Sequence, residues 1–138
     1  MSLVKILIVA DEKTGMGVIM QSYLQFYSTG QYETHLLKNA DEIHPLVIQV
    51  MKEDGIDITN FMSRKTSDIK KTIFQTCIVI NESIPSDIPN INTEVIHLNF
   101  ASPLASTGYD IILEKFRAIR EEIKRSAIEI TGKLSLVG

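Results

Sequence analysis

The apolar positions near the start of the chain change from a strand pattern to a helical pattern. Residues 4–9 are almost continuously apolar, which predicts a buried strand. Residues 19–27 carry apolar side chains at helical spacing, and Ser28 and Gly30 are suited to ending that helix. The segment 10–17 between them is therefore predicted to be a loop that joins the first strand to the first helix.

The alternation of strand and helix continues after this unit. Residues 32–37 predict a short second strand. A helix is predicted from about His44, with Asp41 as its N-terminal cap and Pro45 in its first turn. Gly55 is suited to the C-terminal end of that helix.

The second half of the chain repeats the pattern. A short helix capped by Ser67 is predicted to run through Ile73 and Phe74, followed by a central strand over 76–80. A fourth strand is predicted over 95–99 and a final helix from about 109 to 132. This βαβ order predicts an α/β fold with a parallel sheet and helices on both faces. Ligands of such sheets bind at the C-terminal ends of the strands, where the 10–17 loop lies.

The 10–17 loop is the first candidate site. A strand-to-helix loop aims backbone N–H groups and the positive end of a helix dipole at one point, which favours an anion. The candidate anion-binding residues are Asp11, Glu12, Lys13, Thr14, Gly15, Met16 and Gly17. The segment contains no cysteine, serine or arginine, and it carries two carboxylates. Three interpretations stay open: a solvated charged loop, a weak oxyanion cradle with Lys13 as its fixed cation, or a cation site at Asp11 and Glu12.

Length and charge restrict the function classes. The chain has 138 residues, which predicts a single domain over 1–138, with 1–3 as a candidate expression scar and 133–138 as a tail. The net charge of −3 and the dispersed lysines and arginines argue against a nucleic-acid surface. No apolar run is long enough to span a bilayer and no signal peptide opens the chain, so no membrane association and a cytoplasmic location are expected.

Cysteine and histidine usage argues against metal and cofactor chemistry. Cys77 is the only cysteine, which excludes an intramolecular disulfide and a cysteine-rich metal site. Its apolar neighbours predict a buried, inert thiol in the central strand. His35, His44 and His97 fall on three different predicted elements, so no metal ligand set and no cofactor are expected.

One stretch resembles a known family. The segment 44–60, which begins His-Pro-Leu and contains Gly-Ile-Asp-Ile, and the triplet Ser63-Arg64-Lys65 resemble low-molecular-weight protein tyrosine phosphatases and thioredoxin-coupled arsenate reductases. In that family an Asn-Pro or His-Pro opens a helix, a Gly-Ile-Asp-Ile turn ends it, and a Ser-Lys or Ser-Arg pair follows. The resemblance extends from Val4 to about Ile128. It implies a three-layer αβα fold with a four-stranded parallel sheet in the order 2-1-3-4.

The resemblance also implies that the catalytic residues of the family are missing. The family nucleophile is a cysteine directly after the first strand, and that position is Ala10. The arginine that binds the phosphoryl oxygens falls on Met16, and the general acid, an aspartate before a proline, falls on Ser102. The second cysteine of the reductases falls on Asn81.

These replacements favour a catalytically inactive binding module, with a small oxyanion or a protein as its ligand and with a homo-oligomer left open. The alternative is a weakly active or altered enzyme with a non-cysteine mechanism. Asp11 is the only side chain of the loop close enough in sequence to the nucleophile position to take over its role. The start of the chain also resembles a response-regulator receiver, but Asn81-Glu82 stands where that family needs an aspartate. It resembles sugar-phosphotransferase carriers too, but their phosphocysteine again falls near Ala10.

Overall fold

The structure of the protein is a computed structural model. It describes residues 4–10, 14–28, 31–37, 43–58, 73–82, 91–105 and 107–137. Its elements in chain order are β1 (Val4–Ala10), α1 (Met16–Ser28), β2 (Tyr32–Leu36), α2 (Pro45–Glu53), β3 (Phe74–Ile80), β4 (Ile91–Leu98), a 3-10 turn (Pro103–Ala105) and α3 (Tyr109–Val137). The strands form one four-stranded sheet in the order β2-β1-β3-β4. All neighbouring pairs are parallel, so the predicted sheet and its strand order are confirmed.

Both faces of the sheet are buried, as a three-layer α/β fold requires. The first face packs beneath α1, α2 and α3, and its central residues are Ile6, Ile8, Ile78 and Ile80. The second face is just as well covered, and its central residues are Leu7, Val9, Cys77 and Val79. The two faces take alternate residues of β1 and β3, which explains the nearly continuous apolar runs in these strands.

Two carboxylates at the end of α2 connect the three helices on the first face. The hydroxyl of Tyr23 in α1 donates to Oδ2 of Asp54 at 2.7 Å, and Nζ of Lys124 in α3 contacts the same oxygen at 3.0 Å. Glu53 accepts from Arg117 at 2.6 Å and from Arg120 at 2.9 Å. Charged hydrogen bonds of this kind fix the relative position of the helices.

The predicted cap of α2 is replaced by another residue. The N-terminal cap is His44, whose Nδ1 accepts a hydrogen bond from the backbone N–H of Leu46 at 3.1 Å. The imidazole of His44 also lies 5.0 Å from the ring of Phe116, between centroids. Asp41, the predicted cap, lies outside the described residues. Gly55 does end the helix in the left-handed region, with φ of +78°.

Several element boundaries differ from the predictions. Ala10 is the last residue of β1, and Met16 and Gly17 belong to the first turn of α1, so the loop is shorter than predicted. Phe74 opens β3 and is not helical, because its ring is buried on the second face against His35, with centroids 5.4 Å apart. Ser67 and the helix predicted from it lie outside the described residues.

The last two elements are also longer than predicted. β4 begins at Ile91 and ends at Leu98, several residues earlier at its start than the sequence indicated. The final helix begins at Tyr109 as predicted and continues past Gly132 to Val137. Within the described parts of the chain, no helix combines the length and the apolar character needed to cross a bilayer.

Candidate functional site

The loop edge is the C-terminal edge of the sheet, where Ala10, residues 14–17, Asn81 and residues 99–104 lie. Parallel strands bring these segments together because Ala10 pairs with Ile80 and Ile80 pairs with Leu98. In α/β folds this edge is where ligands bind. All positions that the sequence implicated in catalysis and that the structure describes belong to this edge.

Ala10 lies under the first turn of α1. A Cβ atom placed on Gly17 would lie 3.2 Å from Cβ of Ala10 and 3.1 Å from Cδ2 of Leu36. The glycine therefore allows α1 to start directly on the strand ends. The inner wall that Ala10, Gly17 and Leu36 form is apolar, so it offers no side-chain hydrogen bond to an anion.

Gly15 brings the loop against α2. Its φ is +69°, and a Cβ atom at this position would lie 2.9 Å from Cγ2 of Val47. Glycine is thus required here for its backbone conformation and for the close approach of α2. Thr14 beside it is buried.

Met16, which the sequence resemblance aligns with the family arginine, is fully buried with 1% of its surface exposed. Its Sδ atom is 3.8 Å from Nδ2 of Asn81, a weak hydrogen bond that the amide donates. The thioether is held inside the edge and contributes no donor to it.

Asn81 joins the end of β3 to the segment after β4. Its Nδ2 donates to the carbonyl of Phe100 at 2.8 Å, and its Oδ1 accepts from the N–H of the same residue at 2.8 Å. The residue has φ of +56°, a conformation in which asparagine is enriched among non-glycine residues. Sequence reasoning noted that a cysteine of one family and an aspartate of another are missing here; an asparagine directly after a buried strand was the available signal for this role.

Ser102, which the sequence resemblance aligns with the general acid of the family, caps the 3-10 turn. Its Oγ accepts a hydrogen bond from the N–H of Leu104 at 3.2 Å, at the start of the 3-10 turn, and the side chain is exposed. A serine followed by a proline is suited to the start of a helical turn, so the sequence did contain this signal.

Cys77 is remote from the loop edge. It pairs with Leu7, three residues before the Ala10–Ile80 pair, which corresponds to roughly 10 Å along the strand. The thiol is buried on the second face, and burial raises its pKa to about 11. The predicted burial of the thiol is confirmed, and a buried thiol remote from the loop edge is not placed to act there as a nucleophile.

The other sequence candidates divide into two groups. Asp11, Glu12 and Lys13 lie outside the described residues, so the choice between a solvated loop, an oxyanion cradle and a cation site stays a prediction. The three histidines lie on β2, before α2 and on β4, and they do not come together. Among the described residues, no group of three histidine, cysteine, aspartate or glutamate side chains is arranged to hold a metal ion.

Apolar side chains are exposed beside the loop edge. We call Leu104, Tyr109 and Ile111 the rim surface; their exposed fractions are 39%, 61% and 55%. The hydroxyl of Tyr109 donates to Oε1 of Gln49 in α2 at 3.2 Å, so the rim surface is anchored to the helix that contacts Gly15 through Val47. Sequence reasoning did not single out these residues, because their exposure depends on the tertiary fold.

Comparison with solved structures identifies proteins with the same fold. An arsenate reductase in the reduced state superposes with a TM-score of 0.72 at 18% identity, over 96% of this chain and 99% of that chain. A thioredoxin-dependent arsenate reductase of Corynebacterium glutamicum gives 0.68 at 21% identity, over 99% of this chain and 64% of that chain. Wzb of Vibrio vulnificus, in complex with benzylphosphonate, gives 0.69 at 14% identity, over 96% and 99% of the two chains.

At these identities the similarity shows the fold. No protein-family model and no curated protein matches the chain. The fold that the 44–60 segment implied is therefore confirmed by structure neighbours of both kinds, arsenate reductases and a low-molecular-weight phosphatase-like protein.

Proposed function

We propose that this protein is a non-catalytic binding module built on the fold of arsenate reductases and low-molecular-weight phosphatases. One observation carries the proposal: the three positions where the resemblance implies catalytic groups hold Ala10, Met16 and Ser102, and each has a structural contact instead. Alanine has no nucleophilic atom, a thioether donates no hydrogen bond, and a serine hydroxyl is a poor proton donor near neutral pH. Arsenate reduction by a cysteine relay needs more than one cysteine, and the chain has one.

Turnover assays test the loss of catalysis. The purified protein is incubated with an aryl phosphate, and separately with arsenate, thioredoxin and thioredoxin reductase. We expect no turnover above a protein-free control in either assay, with the same result for Cys77→Ser. Turnover that follows the protein peak through chromatography and persists in Cys77→Ser would favour the altered enzyme, and Asp11→Asn should then abolish it.

A protein partner is the ligand that the loop edge supports better. The described inner wall is apolar, and removing an oxyanion from water against such a wall costs more than it regains without a nearby cation. Among the described residues of the loop edge there is no lysine or arginine. The rim surface, in contrast, exposes two aliphatic side chains and one tyrosine beside the same edge, and exposed apolar side chains of this kind are common at interaction sites.

Two measurements separate these ligands. Amide chemical shifts of residues 14–17 are followed during titration with phosphate, sulfate and arsenate; we expect no saturable shift, and a saturable one would favour the oxyanion cradle.

Capture of a partner from an extract of the source cells is compared between the wild type and Leu104→Ser/Ile111→Ser. Phe26→Ser is the matched control, because Phe26 is 65% exposed on α1 away from the rim surface. Equal capture by the rim variant would contradict the proposed surface.

A further inference from the structure

The first turn of α2 depends on one side chain for its hydrogen bonding. Pro45, its first residue, has no backbone N–H to donate. The N–H groups of Val47 and Ile48 donate to the carbonyl of His44 at 2.9 and 3.3 Å. The N–H of Leu46 donates instead to Nδ1 of the His44 imidazole at 3.1 Å. Leu46 is buried, with 7% of its surface exposed, so water is poorly placed to replace the imidazole in this bond.

Histidine differs from the usual caps because its capacity to accept a hydrogen bond depends on its charge. In a neutral imidazole one nitrogen accepts and the other donates, and the bond from Leu46 requires that Nδ1 accepts and Nε2 carries the proton. In an imidazolium both nitrogens donate, so no rotation of the ring restores an acceptor. The added charge would also lie at the positive end of the helix dipole.

The imidazole of His44 is accessible to protons and is held in place by α3. The residue is half-buried, and its ring centroid lies 5.0 Å from that of Phe116, with 36° between the two planes. The face of an aromatic ring also attracts a cation. Proton uptake therefore removes the acceptor without requiring the ring to leave Phe116.

The charged groups around His44 come from α3 and from the preceding chain, since α1 contains no charged residue. The charged side chains of α3 within one turn of its contact with His44 are Glu114, Lys115, Arg117 and Arg120. Both arginines bind Glu53 at the opposite end of α2. The pair Asp41-Glu42 precedes His44 in the chain and lies outside the described residues. Between described residues no ion pair includes His44, so none of their carboxylates holds the imidazole in one charge state.

The turn that His44 caps supports the loop edge. Val47 belongs to this turn and is fully buried, and a Cβ atom on Gly15 would lie 2.9 Å from its Cγ2 atom. The carbonyl of Gly15 in turn accepts from the N–H of Ile19 in α1 at 3.0 Å. Fraying of the first turn of α2 would therefore remove the wall against which the start of α1 packs.

We propose that His44 makes the loop edge sensitive to pH. With a neutral imidazole the first turn of α2 is capped, and Val47 holds Gly15 in place. Uptake of a proton from solvent at Nδ1 breaks the bond from Leu46, loosens the first turn and releases the packing on residues 14–17. Histidine side chains change charge between about pH 5 and 8, so the change falls in the physiological range. The inference does not depend on the proposed function of the loop edge.

Nuclear magnetic resonance of the wild-type protein tests the cap. At pH 8 the ring nitrogen shifts of His44 should show the tautomer with the proton on Nε2. Between pH 8 and 5 the protection factor of the Leu46 amide, which corrects for the intrinsic pH dependence of exchange, should fall about fivefold or more. The fall should follow protonation of the ring, and the amides of residues 14–17 should fall with it. Ile56, whose N–H donates to the carbonyl of Met51 near the other end of α2, should keep its protection.

Three variants separate the cap from other effects of pH. Asparagine keeps its acceptor oxygen at every pH in this range, so His44→Asn should give the same Leu46 protection at pH 8 and at pH 5. His44→Ala has no acceptor and should give low protection at both. His97→Gln is the matched control, because His97 is exposed on β4, and this variant should keep the response of the wild type.

The wild-type measurements decide the proposal even if a variant does not fold. Constant protection of the Leu46 amide while the His44 ring takes up its proton would overturn it. A ring that stays neutral down to pH 5 would do the same, and so would a neutral ring with its proton on Nδ1. A pH response that persists in a folded His44→Asn protein would assign the effect to another group.

Discussion

At the scale of single residues, two glycines distinguish the effect of a steric conflict from the effect of a left-handed backbone conformation. Gly15 and Gly55 both have positive φ, +69° and +78°. A Cβ atom at Gly15 would lie 2.9 Å from Cγ2 of Val47, whereas a Cβ atom at Gly55 would meet nothing within 4 Å. At both positions a residue with a Cβ atom would pay the cost of the left-handed backbone conformation, and only at Gly15 would it also meet a steric conflict.

We predict that Gly15→Ala lowers the free energy of unfolding by more than Gly55→Ala does. The left-handed conformation costs about 1–2 kcal/mol at each site, and the contact with Val47 adds about 1–3 kcal/mol at Gly15. Urea unfolding of both variants measures the difference. In a Val47→Ala background the penalty at Gly15 should fall towards that at Gly55, and an unchanged penalty would mean that the contact is not the cause.

Single residues of the site were predictable only in part. The resemblance aligned Ala10, Met16 and Ser102 with the catalytic positions of the family, and this alignment needed only local features, the end of β1 and the Ser-Pro pair. The burial of Met16 and the bond from Asn81 to Phe100 were not predictable, because they join segments that are far apart in the chain. The same holds for the contact between the rings of His44 and Phe116.

At the scale of elements, the carboxylates at the end of α2 make helix packing sensitive to acid. The hydrogen bond from Tyr23, followed by the Lys124 ammonium, holds the pKa of the Asp54 carboxyl below its usual range. The guanidinium of Arg117 does the same for Glu53. Burial and the contact with Asp54 raise the pKa of Tyr23, so its hydroxyl stays protonated and continues to donate.

We predict that stability falls in acid and that Asp54→Asn weakens this dependence. A carboxyl with a lowered folded-state pKa stabilises the protein fully above its unfolded-state pKa, and this stabilisation is lost as the pH falls through the folded-state value. The free energy of unfolding should therefore drop below about pH 4, where unperturbed aspartates titrate. Asp54→Asn should cost about 1 kcal/mol at pH 7 and flatten the curve in acid.

The control for this experiment is Glu122→Gln, which changes an exposed carboxylate on α3 outside the network. Its unfolding curve should follow that of the wild type at every pH. An Asp54→Asn protein with an unchanged acid slope would show that other carboxylates dominate the response.

The secondary-structure elements could be predicted better than the individual residues of the site, for a physical reason. Periodicity depends on which residues face the core, and the alternating faces of β1 and β3 produce the apolar runs that marked them as central strands. The boundaries were less predictable where tertiary contacts decide them. Phe74 joined β3 because its ring packs against His35, and β4 starts at Ile91 because parallel pairing with Phe74 extends it.

At the scale of the whole molecule, the resemblance implies that catalysis would need groups from three separate segments of one edge. In this structure each of those segments is held by structural contacts. Ala10 lies beneath Gly17, Met16 is buried beside Asn81, and Ser102 caps the 3-10 turn. We therefore expect each of these three positions to differ in its tolerance for the residue type that the family has there.

We predict that Ala10→Cys alone restores no phosphatase activity, because the thiolate would lack both a cation for the phosphoryl oxygens and an acid for the leaving group.

Ser102→Asp should be tolerated within about 0.5 kcal/mol, since aspartate caps as well as serine. Met16→Arg should cost about 3 kcal/mol or more, because it places a charge where 1% of the side chain is exposed. The variant that combines all three changes should therefore be less stable than Ala10→Cys, and urea unfolding together with aryl phosphate hydrolysis measures the stability and the turnover of each variant. Turnover in Ala10→Cys alone would mean that the cation and the acid are supplied elsewhere, and it would contradict the proposal that the protein is non-catalytic.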